Sequence, residues 1–236
     1  MDPTSRNLSR AARYLAPLAA IAFFSLTGGC EGADRTPVSL EDLVEACPDV
    51  SANLVEDGGF ESPVVQSQEY DPIVAGGNLE AWSVDGGAVD LISSRFWQPA
   101  RGKQSLDLDG SCGVGSISQQ LRTIAGQDYQ LCFALTGNPG GPPAIKSLEI
   151  WWGDQRVDSL TVDVSFSTFK RMGWTYVHYR VTASADSVVL SFRSTTPGCY
   201  GPVLDDVKVQ KMESQILMRE PTWTIYPPRA PARIPS

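Results

Sequence analysis

A chain of 236 residues with 42% hydrophobic and 19% charged residues can bury a sizeable core, as one large domain or two small ones. Its net charge of −8 and its lack of a basic cluster exclude the usual electrostatic footprint of a nucleic-acid binder. Its single histidine stands alone, and no G-x-S-x-G, H-E-x-x-H or P-loop pattern is present, so no enzyme signature is legible.

Residues 1–29 read as an export signal. Arg6, Arg10 and Arg13 form a basic start, and the apolar run from Tyr14 to Leu26 is too short for a comfortable membrane span. Thr27-Gly28-Gly29-Cys30 then places small residues before a cysteine, as in a bacterial lipobox. Cys30 is therefore the expected lipidation site, acylated in the manner of a palmitate-bearing lipoprotein and forming the mature N-terminus. The expected location is the bacterial cell envelope, at the outer membrane or cell surface. Loss of residues 1–29 removes three Arg and one Asp, which takes the charge of −8 to −10. Residues 30–49 read as a lipidated tether. Ser39 and Asp42 are a weak capping pair for a short helical turn that Cys47-Pro48 ends.

The stretch Asn53 to Glu61 (NLVEDGGFE) reads as a short strand, 53–56, followed by a turn. Gly58 and Gly59 are expected to supply positive φ there. From 53 to 209 the pattern is β throughout, with apolar and polar residues alternating between Gly, Pro, Asp and Ser clusters. Predicted strands cover 53–56, 79–84, 87–93, 104–109, 114–121, 129–136, 146–152, 155–162, 174–182, 187–193 and 203–209. Such a series predicts an all-β sandwich or jelly roll. Val177, Tyr179 and Val181 share one face of a strand, opposite Trp174, Tyr176, His178 and Arg180. His178 reads as a packing or hydrogen-bonding residue.

A two-residue turn at Gly153-Asp154 predicts a hairpin pairing Trp152 with Gln155, Trp151 with Arg156 and Ile150 with Val157. That register puts Glu149, Trp151, Arg156 and Asp158 on one polar face. An aromatic ring among polar groups suits a sugar, whose C–H face stacks while its hydroxyls seek partners at the rim. Trp97, in a loop, is a second candidate platform, whereas Trp82, Trp152 and Trp174 read as core. Glycoside cleavage needs two carboxylates several ångströms apart across the bond; Asp107, Asp109, Glu149 and Asp158 could be so arranged, but no spacing in the sequence sets any two of them there.

Near the other end, Gly201 to Val209 (GPVLDDVKV) is a turn and a strand carrying an acidic pair. If this strand lies beside the 53–61 stretch, Glu61 and Asp205 or Asp206 meet and share a cation. Calcium is the expected ion, because it takes hard oxygen ligands. With Cys30 lipidated, Cys47, Cys112, Cys132 and Cys199 allow three connectivities. Cys47–Cys199 with Cys112–Cys132 is the expected one, the first bond tying the start of the domain to its end. Residues 212–236 hold five prolines and read as a disordered tail after a domain spanning 50–211.

Together NLVEDGGFE, the W-x-V-x-x-G-x-V-D of Trp82 to Asp90 and the SLDLDG of Ser105 to Gly110 resemble the choice-of-anchor C family. These are bacterial surface proteins related to plant cell-wall proteins of the domain of unknown function 642 family. The resemblance continues through Gly126 to Pro139, the MGW of Met172 to Trp174, and GPVLDDV. It implies a galactose-binding-like jelly roll. It also implies one structural calcium held by the Gly59 carbonyl, Glu61, and Asp205 or Asp206. The resemblance carries no settled activity; with the Trp151 face and Cys30, the expected function is a lipid-anchored, non-catalytic module that binds an envelope or extracellular polysaccharide. The alternative is a structural or protein-docking module that binds no glycan.

Overall fold

The computed structural model describes residues 46–48 and 52–212, so the signal, Cys30, most of the tether and the proline-rich tail lie outside the described residues. Twelve strands follow one another: β1 (Tyr70–Val74), β2 (Asn78–Leu79), β3 (Trp82–Gly86), β4 (Ala88–Ser93), β5 (Gln104–Asp107), β6 (Ser116–Arg122), β7 (Asp128–Gly137), β8 (Ile145–Trp152), β9 (Gln155–Asp163), β10 (Thr175–Thr182), β11 (Ser187–Ser194) and β12 (Pro202–Lys211). They form two six-stranded antiparallel sheets, ordered β1-β4-β5-β12-β7-β10 and β2-β3-β6-β11-β8-β9. The domain is the all-β jelly-roll sandwich that the alternation predicts.

The alternation explains the packing. Leu91, Leu106, Leu131, Phe133 and Leu204 point inward from the first sheet. Trp82, Ile117, Ile150, Trp152, Leu190 and Phe192 meet them from the second. Each such side chain contributes about 2 kcal/mol on burial. As expected, Val177, Tyr179 and Val181 of β10 join this core. A second, smaller core lies on the back of the first sheet, where Ile92, Trp97, Met172 and Val203 pack together with Phe96 and Trp174. Two connections, around 94–99 and 164–174, are thereby laid over that sheet. Gln98 N–H donates to the Phe169 carbonyl at 2.9 Å, and the Thr136 hydroxyl to the Met172 carbonyl at 2.6 Å.

The two ends of the domain do lie side by side. Leu54 N–H donates to the Val209 carbonyl at 2.9 Å, and Val207 N–H to the Gly58 carbonyl at 2.8 Å. Asn53 brackets the same strand, accepting from Val209 N–H at 2.9 Å and donating to the Val207 carbonyl at 3.3 Å. Phe60 enters the core fully buried, its ring 5.6 Å from that of Trp82.

Several expectations are corrected. Residues 53–56 are turn rather than strand, since their bonds to β12 run partly through the Asn53 side chain. Positive φ falls on Asp57 and Phe60, not on Gly58 or Gly59. Gly58 is instead required by close approach, because a Cβ there would fall inside the Val207 carbonyl. The edge strand β1 was not legible, because Pro72 and poor alternation mask it; an edge position tolerates proline. In the hairpin, Trp152 faces Gln155 and Trp151 faces Arg156, but a bulge then sets Ile150 opposite Asp158. Asp158 is thus shifted off the face that carries Trp151.

The disulfides are Cys47–Cys132 and Cys112–Cys199, not Cys47–Cys199 and Cys112–Cys132. The topology explains the difference. β5 and β12 are neighbours, so the turn after β5 brings Cys112 to Cys199, just before β12. Cys132 sits mid-strand in β7 beside Lys208, whose ammonium donates to the Cys47 carbonyl at 3.2 Å. Peptide mapping without reduction is expected to recover a 47–132 and a 112–199 cross-linked pair; any 112–132 pair would contradict this topology.

Candidate functional site

Two of the expected calcium residues, Glu61 and Asp205, meet one loop. Glu61 Oε1 accepts the N–H groups of Lys103, at 2.6 Å, and Gln104, at 3.1 Å. Asp205 Oδ2 accepts Arg101 N–H at 2.9 Å, and its Oδ1 accepts Asp206 N–H at 2.7 Å. Asp206 pairs with Lys208 at 3.2 Å and lies 3.4 Å from the Tyr176 hydroxyl. Glu61 and Asp205 thus hold opposite ends of the 101–104 segment by its amides. A Cβ on Gly102, which has φ +68°, would strike the Glu61 carboxylate. Among the described residues no three His, Cys, Asp or Glu side chains form a group able to hold a metal ion. Calcium wants six to eight oxygens. Glu61 and Asp205 spend carboxylate oxygens on backbone amides and Asp206 is paired with Lys208, so these three, with Gly59, do not fit such a cage.

Trp151, Glu149 and Arg156 do come together on the outer face of the second sheet. Glu149 accepts the Trp151 indole N–H at 3.0 Å and the Arg156 guanidinium at 2.7 Å, and these donors hold its carboxyl below the usual range. The Arg193 guanidinium lies 4.6 Å from the ring centroid, so a cation covers part of the ring. Asp158 is elsewhere, accepting the Tyr179 hydroxyl at 2.8 Å. Trp97 is also excluded as a platform. It is 2% exposed, and its N–H donates to the Ser105 hydroxyl at 2.8 Å. His178 lies on the outer side of β10 with Nε2 3.8 Å from Cys132 Sγ.

Two clefts flank the connections that cover the first sheet. The first encloses about 610 Å³ between the 98–100 segment, the 163–173 segment and the start of β10. Phe166, Trp174 and Tyr176 give it three aromatic rings, and Gln98, Asp163 and Arg171 give it polar groups. Phe166 is 87% exposed. Trp174 is only half-buried, because its indole N–H reaches outward to the Gln98 carbonyl at 2.9 Å. It therefore packs at the edge of the smaller core instead of lying inside the main one. Burial, with the nearby Asp206 charge, pushes the Tyr176 hydroxyl up to about 12, so it remains a proton donor. The signal for this cleft was present in the alternation that set Trp174 and Tyr176 on one face. Its other wall comes from a loop, where alternation says nothing. The second cleft, of about 400 Å³, lies beside the Cys112–Cys199 bond.

Between the second cleft and the core lies a group of buried acids. Asp107 accepts Asn138 Nδ2 at 2.7 Å and the N–H groups of Asp109, at 3.0 Å, and Gly201, at 3.2 Å. Burial nonetheless pushes its carboxyl up to about 7, and that of Asp109 up to about 6. Burial also pushes down the neighbouring Lys146 ammonium, which donates to the Gly141 carbonyl at 2.8 Å.

Residues 53–210 match the family described as "Protein of unknown function (DUF642)". The chain belongs to this family. Comparison with curated proteins gives no match. Among solved structures, the chain is similar to TmCBM61 in complex with beta-1,4-galactotriose, at 19% identity over 69% of this chain and 100% of the other, with a TM-score of 0.45. It is also similar to a family 35 carbohydrate-binding module from Clostridium thermocellum, at 16% identity over 60% of this chain and 99% of the other, with a TM-score of 0.41. A third is "Family 16 Carbohydrate Binding Module-2", at 12% identity over 67% of this chain and 99% of the other, with a TM-score of 0.44.

Proposed function

We propose that this DUF642 protein is a non-catalytic glycan-binding module of the choice-of-anchor C kind, held at the bacterial envelope by an acylated Cys30. The observation that carries the binding role is the open cleft in which Phe166, Trp174 and Tyr176 stand beside Gln98, Asp163 and Arg171. Aromatic rings take the apolar faces of sugar rings, and the polar groups take their hydroxyls. An open cleft of this kind lets a polymer pass through it. The same reading makes catalysis unnecessary: Glu149 is tied to Arg156 and Trp151, and Asp158 to Tyr179. The amide clasp of Glu61 and Asp205 fixes the segment that ends in the cleft wall at Gln98, Pro99 and Ala100.

Affinity electrophoresis through gels containing xylan, galactan, β-glucan or polygalacturonan tests this reading. At least one polymer is expected to retard the protein. Phe166→Ala is expected to weaken that retention about tenfold, the equivalent of about 1.4 kcal/mol, with an unchanged melt because the side chain is 87% exposed. Full retention by Phe166→Ala would remove the cleft as the site. A protein that no polymer retards would favour the structural or protein-docking alternative.

A further inference from the structure

The second cleft has a different chemistry. Tyr70, Phe96 and Phe169 form a continuous aromatic wall, with ring centroids 5.8 Å apart for Tyr70–Phe96 and 4.8 Å for Phe96–Phe169. Tyr200 also lines it, packed on Gly140 and Gly141, where any Cβ would meet its ring. Tyr70 is 41% and Phe169 37% exposed, so the wall is open to a ligand. Among the described residues Asp90 is the one carboxylate lining the cleft.

Asp90 is under-supplied with partners. Among the described residues the Ser111 amide is its one hydrogen-bond donor, and Oδ1 is a buried oxygen without a partner. A Cβ on Gly110 would press on that oxygen, so the turn after β5 is shaped around the carboxylate. Burial holds the Asp90 carboxyl above its ordinary value, and among the described residues no cation acts to lower it. Behind it Asp107 adds a second carboxylate, cross-strand from Asp90, and Asp109 a third; Lys146 is the cation that acts on these two. Asp90 is half-buried, and a carboxylate in that position left short of partners costs stability. It persists where something outside the fold completes it.

We propose that this cleft binds an organic ammonium group, seated against the aromatic wall and over Asp90. Aromatic faces attract cations, more strongly once both are desolvated. A carboxylate at the floor supplies the counter-charge, which a neutral sugar would not use. Two sources share this chemistry: a quaternary ammonium headgroup and the amino group of an unacetylated amino sugar. The site stands apart from the Phe166 cleft and does not rest on the glycan reading.

The test is titration of the ¹⁵N-labelled protein with tetramethylammonium, choline, glucosamine, N-acetylglucosamine and glucose. Saturable shifts are expected at the amides of Ser111, Gly140 and Tyr200 with at least one ammonium probe, and not with the two neutral sugars. Tetramethylammonium and choline acting without glucosamine would indicate the quaternary source; glucosamine acting alone would indicate the amino sugar. Asp90→Asn is expected to weaken binding at least tenfold without lowering the melting temperature, because it removes a charge the fold does not pair. Tyr70→Ala, at an exposed position, is expected to weaken binding with the melt unchanged. Equal shifts from glucose, no shift from any ammonium probe, or undiminished binding by both variants would overturn the proposal.

Discussion

Gly58→Ala is expected to cost about 3 kcal/mol or more, whereas Gly59→Ala, one residue along, is expected to stay within about 0.5 kcal/mol. A Cβ at Gly58 would overlap the Val207 carbonyl, while a Cβ at Gly59 meets only the Glu61 side chain, at 3.7 Å. Neither position has positive φ, so the contrast is one of space and not of backbone conformation. The Val207 peptide cannot retreat. Its N–H is bonded to the Gly58 carbonyl at 2.8 Å, its carbonyl is held by Asn53 at 3.3 Å, and Asn53 also holds Val209 at 2.9 Å. Moving the 53–60 turn outward instead would draw the fully buried Phe60 from its place against Trp82. Urea melts of the two variants measure the difference. Equal midpoints would mean that the turn is not pressed against β12.

This contact shows what the sequence could and could not disclose. Alternation is a local signal, and it placed the long strands β6 to β12 to within two residues at either end. The pairing of Gly-Gly with a following aromatic and carboxylate marked a special turn, and the acidic pair in β12 marked its partner. Why the turn needs glycine was not legible, since the reason is a carbonyl some 150 residues away in the chain. The disulfides failed for a related reason: which cysteines meet depends on β5 and β12 being neighbours, a fact of sheet order. The hairpin register was read correctly for its first two pairs and then lost at a bulge, which separated Asp158 from Trp151. The Phe166 cleft was half legible. β10 displayed Trp174 and Tyr176 through its alternation, but Phe166 and Arg171 come from a connection without period. Trp97 shows the reverse case, a loop tryptophan buried because its loop folds back over a sheet.

The second large effect is expected from pH: the domain should be less stable at pH 8.5 than at pH 5, the melting temperature falling by about 10 °C between them. Three buried acids set the direction. Burial raises Asp205 from its ordinary 3.8 to about 8, Asp107 to about 7 and Asp109 to about 6. Each holds its proton more tightly in the folded chain than in the unfolded one. Between pH 4 and the raised value, folding therefore takes up protons, and stability falls as pH rises through that window. Below pH 4 both states are protonated and these acids contribute no slope. Above about 8 the loss is complete. Asp71, Asp128, Glu149 and Asp163 are shifted the other way by their hydrogen bonds, so their stabilisation is present above the ordinary carboxylate range and fades below it. The two sets together place the optimum near pH 4 to 5. A shift of one unit in each of the three buried acids already amounts to about 4 kcal/mol, which for a domain of this size is about 10 °C. Asp205 carries the upper end of the window. Asp205→Asn is therefore expected to flatten the profile between pH 6 and 8, while losing stability at pH 5, where an amide nitrogen would replace an oxygen that accepts either Arg101 or Asp206 N–H. A melting temperature that holds or rises from pH 5 to 8.5 would mean that these carboxylates ionise freely in the folded protein. The amides that Asp205 and Asp107 accept would then outweigh the cost of burying their charge.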